Sequence, residues 1–332
     1  MSLYRTKIIG TGKYHPERIM TNHDFAKIMD TNDQWIFERT GIKERRFARK
    51  DESNCDMAHK AALMAIEEAG IEANDIDLIL YQVTLPDYYF PNSASRLQAQ
   101  LEITNNCACL DINAACSGYL YGFAMADSFI KTGTYKNILL IGAEKTSNFN
   151  SFIDRSTSVL FGDAAGATIL TRSNKDESSE VLGTILGSDS SKKDSLAMPN
   201  GAGNNPVTHE MLDKNEDKYV FMNGQVVFKS AVKTMAQYSM QLLEGSKINL
   251  DSLDWFIPHQ ANLRIIEAVA HMLKCPMEKV MVNVEKYANT SSASIPVTLN
   301  EAVTAGKIKR GDTILMTAFG AGLTSAGILI RY

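Results

Sequence analysis

Apolar positions along the chain follow two alternating rhythms. Short runs rich in Val, Ile and Leu read as strands buried on both faces: Asp77–Val83, Cys107–Ile112, Asn137–Gly142, Gly166–Thr171, Trp255–Ile257, Val280–Val284 and Thr313–Thr317. Between them, longer stretches repeat apolar side chains every three or four residues, as a helix with one buried stripe does. These are Cys55–Ala69, Pro91–Leu101, Ser117–Thr132, Gln225–Leu243, Leu263–Leu273 and Ser294–Ala305; in the third, Leu120, Phe123 and Ala124 share a face. Strand and helix in alternation predict an α/β protein with largely buried sheets.

The pattern also echoes itself. Ile76-Asp77-Leu78-Ile79-Leu80 is answered by Leu253-Asp254-Trp255-Phe256-Ile257, 177 residues on at the shared Asp. Lys131-Thr132-Gly133 and the strand after it are answered by Thr304-Ala305-Gly306 and Thr313–Thr317, with the glycines 173 apart. Two copies of one βαβ-type unit explain both echoes, so residues 1–180 read as one half and 181–332 as the other. The polar stretch Ser188–Lys218, rich in Gly, Asn, Ser and Lys, reads as an irregular connection. Thr313 to Ile330 is uncharged and long enough to suggest a membrane span, but Gly320, Gly322 and Gly327 divide it. It reads as two buried strands around a glycine turn.

Composition narrows the class. At 45% hydrophobic and 22% charged residues the chain is ordinarily globular, which excludes disorder or a collagen-like repeat as a description of the whole. Lys+Arg 34 against Asp+Glu 38 leaves a formal net charge of −4, with no global basic signature for nucleic acid or membrane. The five cysteines (Cys55, Cys107, Cys109, Cys116, Cys275) form no C-x-x-C pair and no zinc-type spacing with His, which argues against a disulfide framework or a metal centre. Met1-Ser2-Leu3-Tyr4-Arg5-Thr6-Lys7 has no apolar stretch of signal-peptide length, and Leu329-Ile330-Arg331-Tyr332 no lipidation box, so a cytoplasmic protein is expected.

Three residues stand where open α/β sheets place ligands, at turns following strands. Cys116 follows Cys107–Ile112 and opens a helix, whose N-terminus is expected to lower the thiol pKa. Small neighbours leave room for a substrate; the competing reading is a buried structural cysteine. His259 follows Trp255-Phe256-Ile257-Pro258, and Asn289 follows Val280–Val284, where a helix cap is the plain alternative. Phe319-Gly320-Ala321-Gly322 could expose backbone N–H groups as an anion nest. Gly10-Thr11-Gly12 lacks the third glycine of a dinucleotide fingerprint, His15 standing there, so nucleotide-phosphate binding is rejected.

In order, Ala114-Ala115-Cys116-Ser117-Gly118, Pro258-His259-Gln260-Ala261-Asn262-Leu263-Arg264-Ile265-Ile266, Asn289-Thr290-Ser291 and Phe319-Gly320-Ala321-Gly322 resemble the motifs of the β-ketoacyl-acyl carrier protein synthase III family, a branch of the thiolase fold. The similarity runs from Thr6 to Tyr332. It implies a thiolase-like α/β fold, two duplicated βαβ-rich halves in a layered αβαβα core, with Cys116 in the first half and His259 and Asn289 in the second. It implies an acyltransferase that loads an acyl group, acetyl by preference, from acyl-CoA onto Cys116. Decarboxylative condensation with malonyl-acyl carrier protein would follow, initiating fatty-acid synthesis. His259 and Asn289 would donate to the enolate oxygen, and the backbone N–H groups of Cys116 and Ala321 would form a separate oxyanion hole. Ala321 stands where the family often has Gly, which a backbone donor tolerates.

The same resemblance would set Trp35 and Arg155 about the CoA adenine, with Arg39 and Thr40 nearby and Asn262 and Gly224 along the pantetheine arm. Phe319 and Phe90 would bound the acyl pocket, Phe90 by crossing a homodimer interface into the partner's pocket. Lys229 and Arg264 would meet the acidic carrier protein. CoA enters as a substrate; no cofactor, metal, nucleic acid or membrane is implied. A starter-unit enzyme of a polyketide or other secondary pathway would keep every motif. A Cys–His–Asn thiol hydrolase shares the residue order but lacks the papain-like signature around the cysteine and the disulfides.

Overall fold

Two sheets repeat one topology. The computed structural model describes residues 4–150, 152, 154–174, 177–214 and 220–332. Its first sheet holds β1 (Arg5–Tyr14), β2 (Leu78–Gln82), β3 (Ala108–Ile112), β4 (Ile138–Glu144) and β5 (Ala164–Ser173) in the order β1-β5-β4-β2-β3. The second holds β6 (Glu180–Ser188), β7 (Trp255–Pro258), β8 (Thr313–Gly320) and β9 (Thr324–Arg331) in the order β6-β9-β8-β7. In the first, β1, β5 and β4 pair antiparallel while β4, β2 and β3 run parallel. In the second, β6, β9 and β8 pair antiparallel and β8 runs parallel to β7. A single parallel bridge, Phe256 to Val280, occupies the place that β3 takes in the first sheet.

The echoed Asp has a shared task. Asp77 donates its N–H to the Asn137 carbonyl at 2.9 Å and its carboxylate accepts the Asn137 N–H at 2.9 Å. Asp254 does the same to Thr313, at 3.1 and 2.8 Å. One acid in each copy thus pins the entry to the parallel pair of its sheet.

Helices make the remaining layers: α1 (Asp33–Thr40), α2 (Asn54–Ala69), α3 (Ser93–Gln100), α4 (Gly118–Thr132), α5 (Gly224–Gly245), α6 (Leu263–Leu273) and α7 (Ser294–Thr304). Leu120 and Phe123 of α4 and Ile295 and Leu299 of α7 pack between Leu140 and Leu170 of one sheet and Met316 and Ile328 of the other. The outer face of the first sheet is covered by Ala58, Ala61 and Ala65 of α2, and that of the second by Ala231, Met235 and Leu242 of α5. Gly10 and Gly12 lie within β1, where a Cβ would collide with the carbonyls of Ala65 and Ala61. These glycines let α2 lie directly on the strand.

Three sequence expectations change. Val280–Val284 is not a strand, because Gln260 takes the bonds a neighbouring strand would make. Its amide donates to the Met281 carbonyl at 3.0 Å and accepts the Asn283 N–H at 2.9 Å, and Val284 starts a short helix, Val284–Tyr287. Strand β6, whose Gly183 and Gly187 interrupt the apolar pattern, went unpredicted. Within Ser188–Lys218 the chain forms a 3-10 stretch, Ser190–Ser195, a two-residue strand, Leu196–Ala197, and a short helix, His209–Asp213; residues 215–218, like Met1-Ser2-Leu3, lie outside the described residues. No helix among the described residues is long and apolar enough to cross a membrane.

Candidate active site

After β3 the chain turns through Asn113 and Ala114 into a 3-10 turn, Ala115–Ser117, that leads into α4. Ala115 takes a left-handed φ of +47°, a cost of about 1 kcal/mol or more that the surroundings must sustain. They do so with hydrogen bonds. Gln82 Oε1 accepts the Ala114 N–H at 3.2 Å, and the Ser117 hydroxyl donates to Thr324 Oγ1 at 2.7 Å. Thr324 Oγ1 also sits 2.9 Å from the carbonyls of both Ala114 and Ala321, tying the Cys116 turn to the glycine turn after β8. Gly320 backs onto Cys116 so closely that a Cβ there would lie 2.8 Å from the Cys116 nitrogen. Burial pushes the half-buried Cys116 thiol up to about 11, outweighing the lowering by the Ser291 hydroxyl. The sulfur's side-chain partner is Ser291 Oγ at 3.5 Å.

His259 follows β7 as expected, its N–H bound to the Thr317 carbonyl at 2.8 Å. The side chain is buried, and desolvation alone holds the imidazole down at about 4, neutral at physiological pH. Its Nδ1 lies 2.7 Å from Ser294 Oγ, which accepts the Gln260 N–H at 3.4 Å. A Ser294 hydroxyl that donates to Nδ1 leaves Nε2 as the N–H of the neutral ring.

Asn289 follows the short helix and Ala288, not a strand, and is held by a parallel bridge to Phe161. Its Oδ1 accepts the Ser291 N–H at 2.8 Å, so its NH2 is the end left to donate elsewhere. Ser291 itself has φ +52°.

Cys116, His259, Asn289 and Phe319 line one cavity of about 1060 Å³, together with Trp35, Arg39, Thr40, Gly224, Lys229, Asn262 and Arg264. Burial grades along it: His259, Asn289 and Phe319 are buried, whereas Arg39, Lys229 and Arg264 are exposed. Asn262 caps α6 through the Arg264 N–H at 2.9 Å and donates to the Arg39 carbonyl at 3.0 Å. The Arg39 and Arg155 guanidiniums lie 4.5 and 4.7 Å from the Trp35 ring centre. Arg155 sits beside the lining, donating to the Asp30 carbonyl at 2.7 Å. An adenine between Trp35 and Arg155 therefore requires the guanidinium to withdraw by about one contact distance, ~3.5 Å. Ala321 joins the Cys116 turn through Thr324 and is not among the cavity-lining residues, and Phe90, 85% exposed, does not line the cavity either.

The sequence reading missed the groups behind these residues. Glu144, Ser291 and Ser294 are all buried at the site, and only Ser291 lay inside a motif singled out beforehand. Glu144 ends β4, a position that strand-end reasoning could have flagged. Met222, just before α5, carries no signal in the sequence, and Val227, Phe228 and Met235 of the cavity wall carry none beyond helical apolar spacing. All five cysteines are free, and no group of three His, Cys, Asp or Glu able to hold a metal occurs among the described residues.

The chain matches the 3-oxoacyl-[acyl-carrier-protein] synthase III model over residues 110–190 and the corresponding C-terminal model over residues 243–332. It is 45% identical to beta-ketoacyl-[acyl-carrier-protein] synthase III of Xanthomonas axonopodis pv. citri (strain 306), across 98% of both chains. The crystal structure of 3-oxoacyl-[acyl-carrier-protein] synthase III from Aquifex aeolicus VF5 superposes with TM-score 0.91 at 46% identity, covering 98% of this chain and 100% of that one. The priming beta-ketosynthase from the R1128 polyketide biosynthetic pathway superposes with TM-score 0.89 at 30% identity, over 99% of this chain and 97% of that one. Identity at this level, sustained through both halves and not confined to the motifs, shows that the chain belongs to the β-ketoacyl-[acyl-carrier-protein] synthase III family.

Proposed function

We propose that this condensing enzyme works through Cys116, His259 and Asn289 in two half-reactions. In the first, Cys116 Sγ attacks the thioester carbonyl of an acyl-CoA, and CoA leaves as its thiol. The developing oxyanion takes hydrogen bonds from the backbone N–H groups of Cys116 and Ala321. In the second, malonyl-acyl carrier protein loses CO2, and the electron pair of the broken C–C bond becomes an enolate. His259 Nε2–H and the Asn289 NH2 donate to its oxygen. The enolate carbon then attacks the Cys116 thioester, forming the new C–C bond and releasing the sulfur. One observation carries this reading: a buried imidazole kept neutral, its Nδ1 engaged by Ser294, shares a cavity with the Asn289 amide and Cys116. Donors of this kind are typically worth about 3–4 kcal/mol of barrier each.

In this reading Trp35, Arg39, Thr40, Arg155, Gly224 and Asn262 serve the CoA, Lys229 and Arg264 the carrier protein, and Phe319 the acyl chain. The halves 1–180 and 181–332 each contribute one side of the site. Phe90, 85% exposed beside the equally exposed Tyr89, would close the acyl pocket of a second copy in a homodimer. The test is a panel of acyl-CoA primers of increasing length against malonyl-acyl carrier protein, with Cys116→Ala as blank. Acetyl-CoA should be preferred, and absence of any β-ketoacyl product would overturn the assignment. The likeness to a priming ketosynthase of a polyketide pathway favours a second reading, a starter-unit enzyme, which a preference for a longer primer in the same panel would support.

A further inference from the structure

Behind Cys116 lies a carboxylate that the two half-reactions leave unused. Glu144 ends β4, is 1% exposed, and accepts four hydrogen bonds. Thr84 supplies its N–H at 3.0 Å and its hydroxyl at 2.8 Å, Ser292 its hydroxyl at 2.9 Å, and Ser291 its hydroxyl at 3.2 Å. Ser291 Oγ also stands 3.5 Å from Cys116 Sγ. A hydroxyl has one proton and so donates to one of these two neighbours at a time. With a thiol, S–H points to Ser291 and Ser291 points to Glu144. With a thiolate, Ser291 points to sulfur and a protonated Glu144 points to Ser291. The same three groups satisfy both states without moving a heavy atom.

We propose that Ser291 and Glu144 form a proton relay that takes the thiol proton from Cys116 during acyl loading and returns it after condensation. This rests on Cys116 being the acyl acceptor. As Sγ bonds to the thioester carbonyl carbon, its proton passes to Ser291 Oγ and the Ser291 proton passes to Glu144 Oε1. The carbonyl–sulfur bond to CoA then breaks, and the departing CoA thiolate takes a proton from solvent. After condensation the released Cys116 thiolate recovers its proton along the reverse route, leaving Glu144 ionised again. Over the cycle one solvent proton is consumed, as loss of CO2 from a malonate carboxylate requires.

The surroundings suit this task. A thiol pushed up to about 11 is almost wholly protonated at neutral pH, so loading needs an acceptor for its proton. Burial raises the Glu144 carboxyl above its ordinary 4.5, which narrows the gap to the thiol. The titratable neighbours do not compete. Tyr81 on β2 is a weak acid pushed well up by burial, and Lys145 turns away to the carbonyls of Arg49 and Glu52 at 2.7 and 2.6 Å. Asp163 is engaged by the N–H groups of Ala48 and Ser147 at 2.7 and 2.6 Å. His259, neutral, bonds Ser294.

The test is single-turnover loading of acetyl-CoA, followed by intact mass between pH 5.5 and 9, on the full chain and on Glu144→Gln, Ser291→Ala and the double variant. Iodoacetamide alkylation of Cys116 across the same range reads thiolate availability without substrate, and thermal melting checks folding. At pH 7 each single variant should load about a hundredfold more slowly. Its rate should climb about tenfold per pH unit toward the unvaried enzyme, and the double variant should be no slower than the singles. Loading by Glu144→Gln within threefold of the unvaried enzyme with the same pH profile would overturn the relay. So would multiplicative losses in the double variant, or an equal loss in malonyl decarboxylation. If the unvaried enzyme forms no adduct on Cys116, the loading reaction itself falls and the relay with it.

Discussion

Ser294→Ala removes the hydroxyl that His259 Nδ1 and the Gln260 N–H share. Ser294 and His259 are 2% and 3% exposed with a 2.7 Å contact between them, and in the proposed mechanism that contact holds the ring proton on Nε2. A neutral hydrogen bond of this kind is worth about 1 kcal/mol net, which corresponds to a bias of about fivefold between ring states. Removing the hydroxyl also leaves the Gln260 N–H without its acceptor, adding to the loss of order. The condensation step should slow about five- to tenfold. Deleting the imidazole donor in His259→Ala should cost about a hundredfold or more. The assay is rapid quench of enzyme already acylated on Cys116, mixed with malonyl-acyl carrier protein, alongside separate loading from acyl-CoA. Loading should be unchanged, because the sulfur's partners are Ser291 and the backbone. In 15N spectra, the His259 Nδ1 resonance should lose its hydrogen-bonded acceptor shift. Equal slowing of loading and condensation, or a loss as large as that of His259→Ala, would refute the tautomer argument.

Other consequences follow from burial and packing. His259 and His15 are held neutral by desolvation, at about 4 and about 3, whereas an unfolded histidine protonates near 6.5. The unfolded chain therefore binds more protons below pH 6.5, and stability falls as pH drops from there toward 4. Asp163, raised to about 6 by burial, opposes this between about 4 and 6, so urea unfolding should show roughly 2 to 3 kcal/mol less stability at pH 5 than at pH 7. His15→Gln should shrink that difference. Trp35→Ala should raise KM for acyl-CoA about tenfold with kcat little changed, since stacking on a ring is worth about 1–3 kcal/mol. Gly10→Ala should cost about 2 kcal/mol or more, read from the urea midpoint, because its Cβ meets the Ala65 carbonyl and the Ala69 Cβ 2.8 Å away.

Local order along the chain was enough to expose the strand–helix alternation, the duplicated Asp-bearing strands and the turns bearing Cys116 and His259. Each of these depends on neighbours within a few positions, through side-chain period and turn chemistry. The helix Leu263–Leu273 appears with the limits its apolar spacing predicts. Val280–Val284 shows where such reasoning stops: its apolar residues suit a strand, but a glutamine twenty residues earlier in the chain takes the backbone partners.

Tertiary structure alone decided the chemistry of the site. Ser291 meets Cys116 across 175 positions, and Glu144 meets Ser291 across 147. The direction of the Cys116 shift also came from the fold, since desolvation by burial raises it. So did the hydrogen-bond partner of His259 Nδ1, a serine 35 residues away. Sequence determines which groups the chain carries and where strands end. Only folding sets the dielectric around those groups and the protons between them, because both depend on atoms that covalent order leaves far apart.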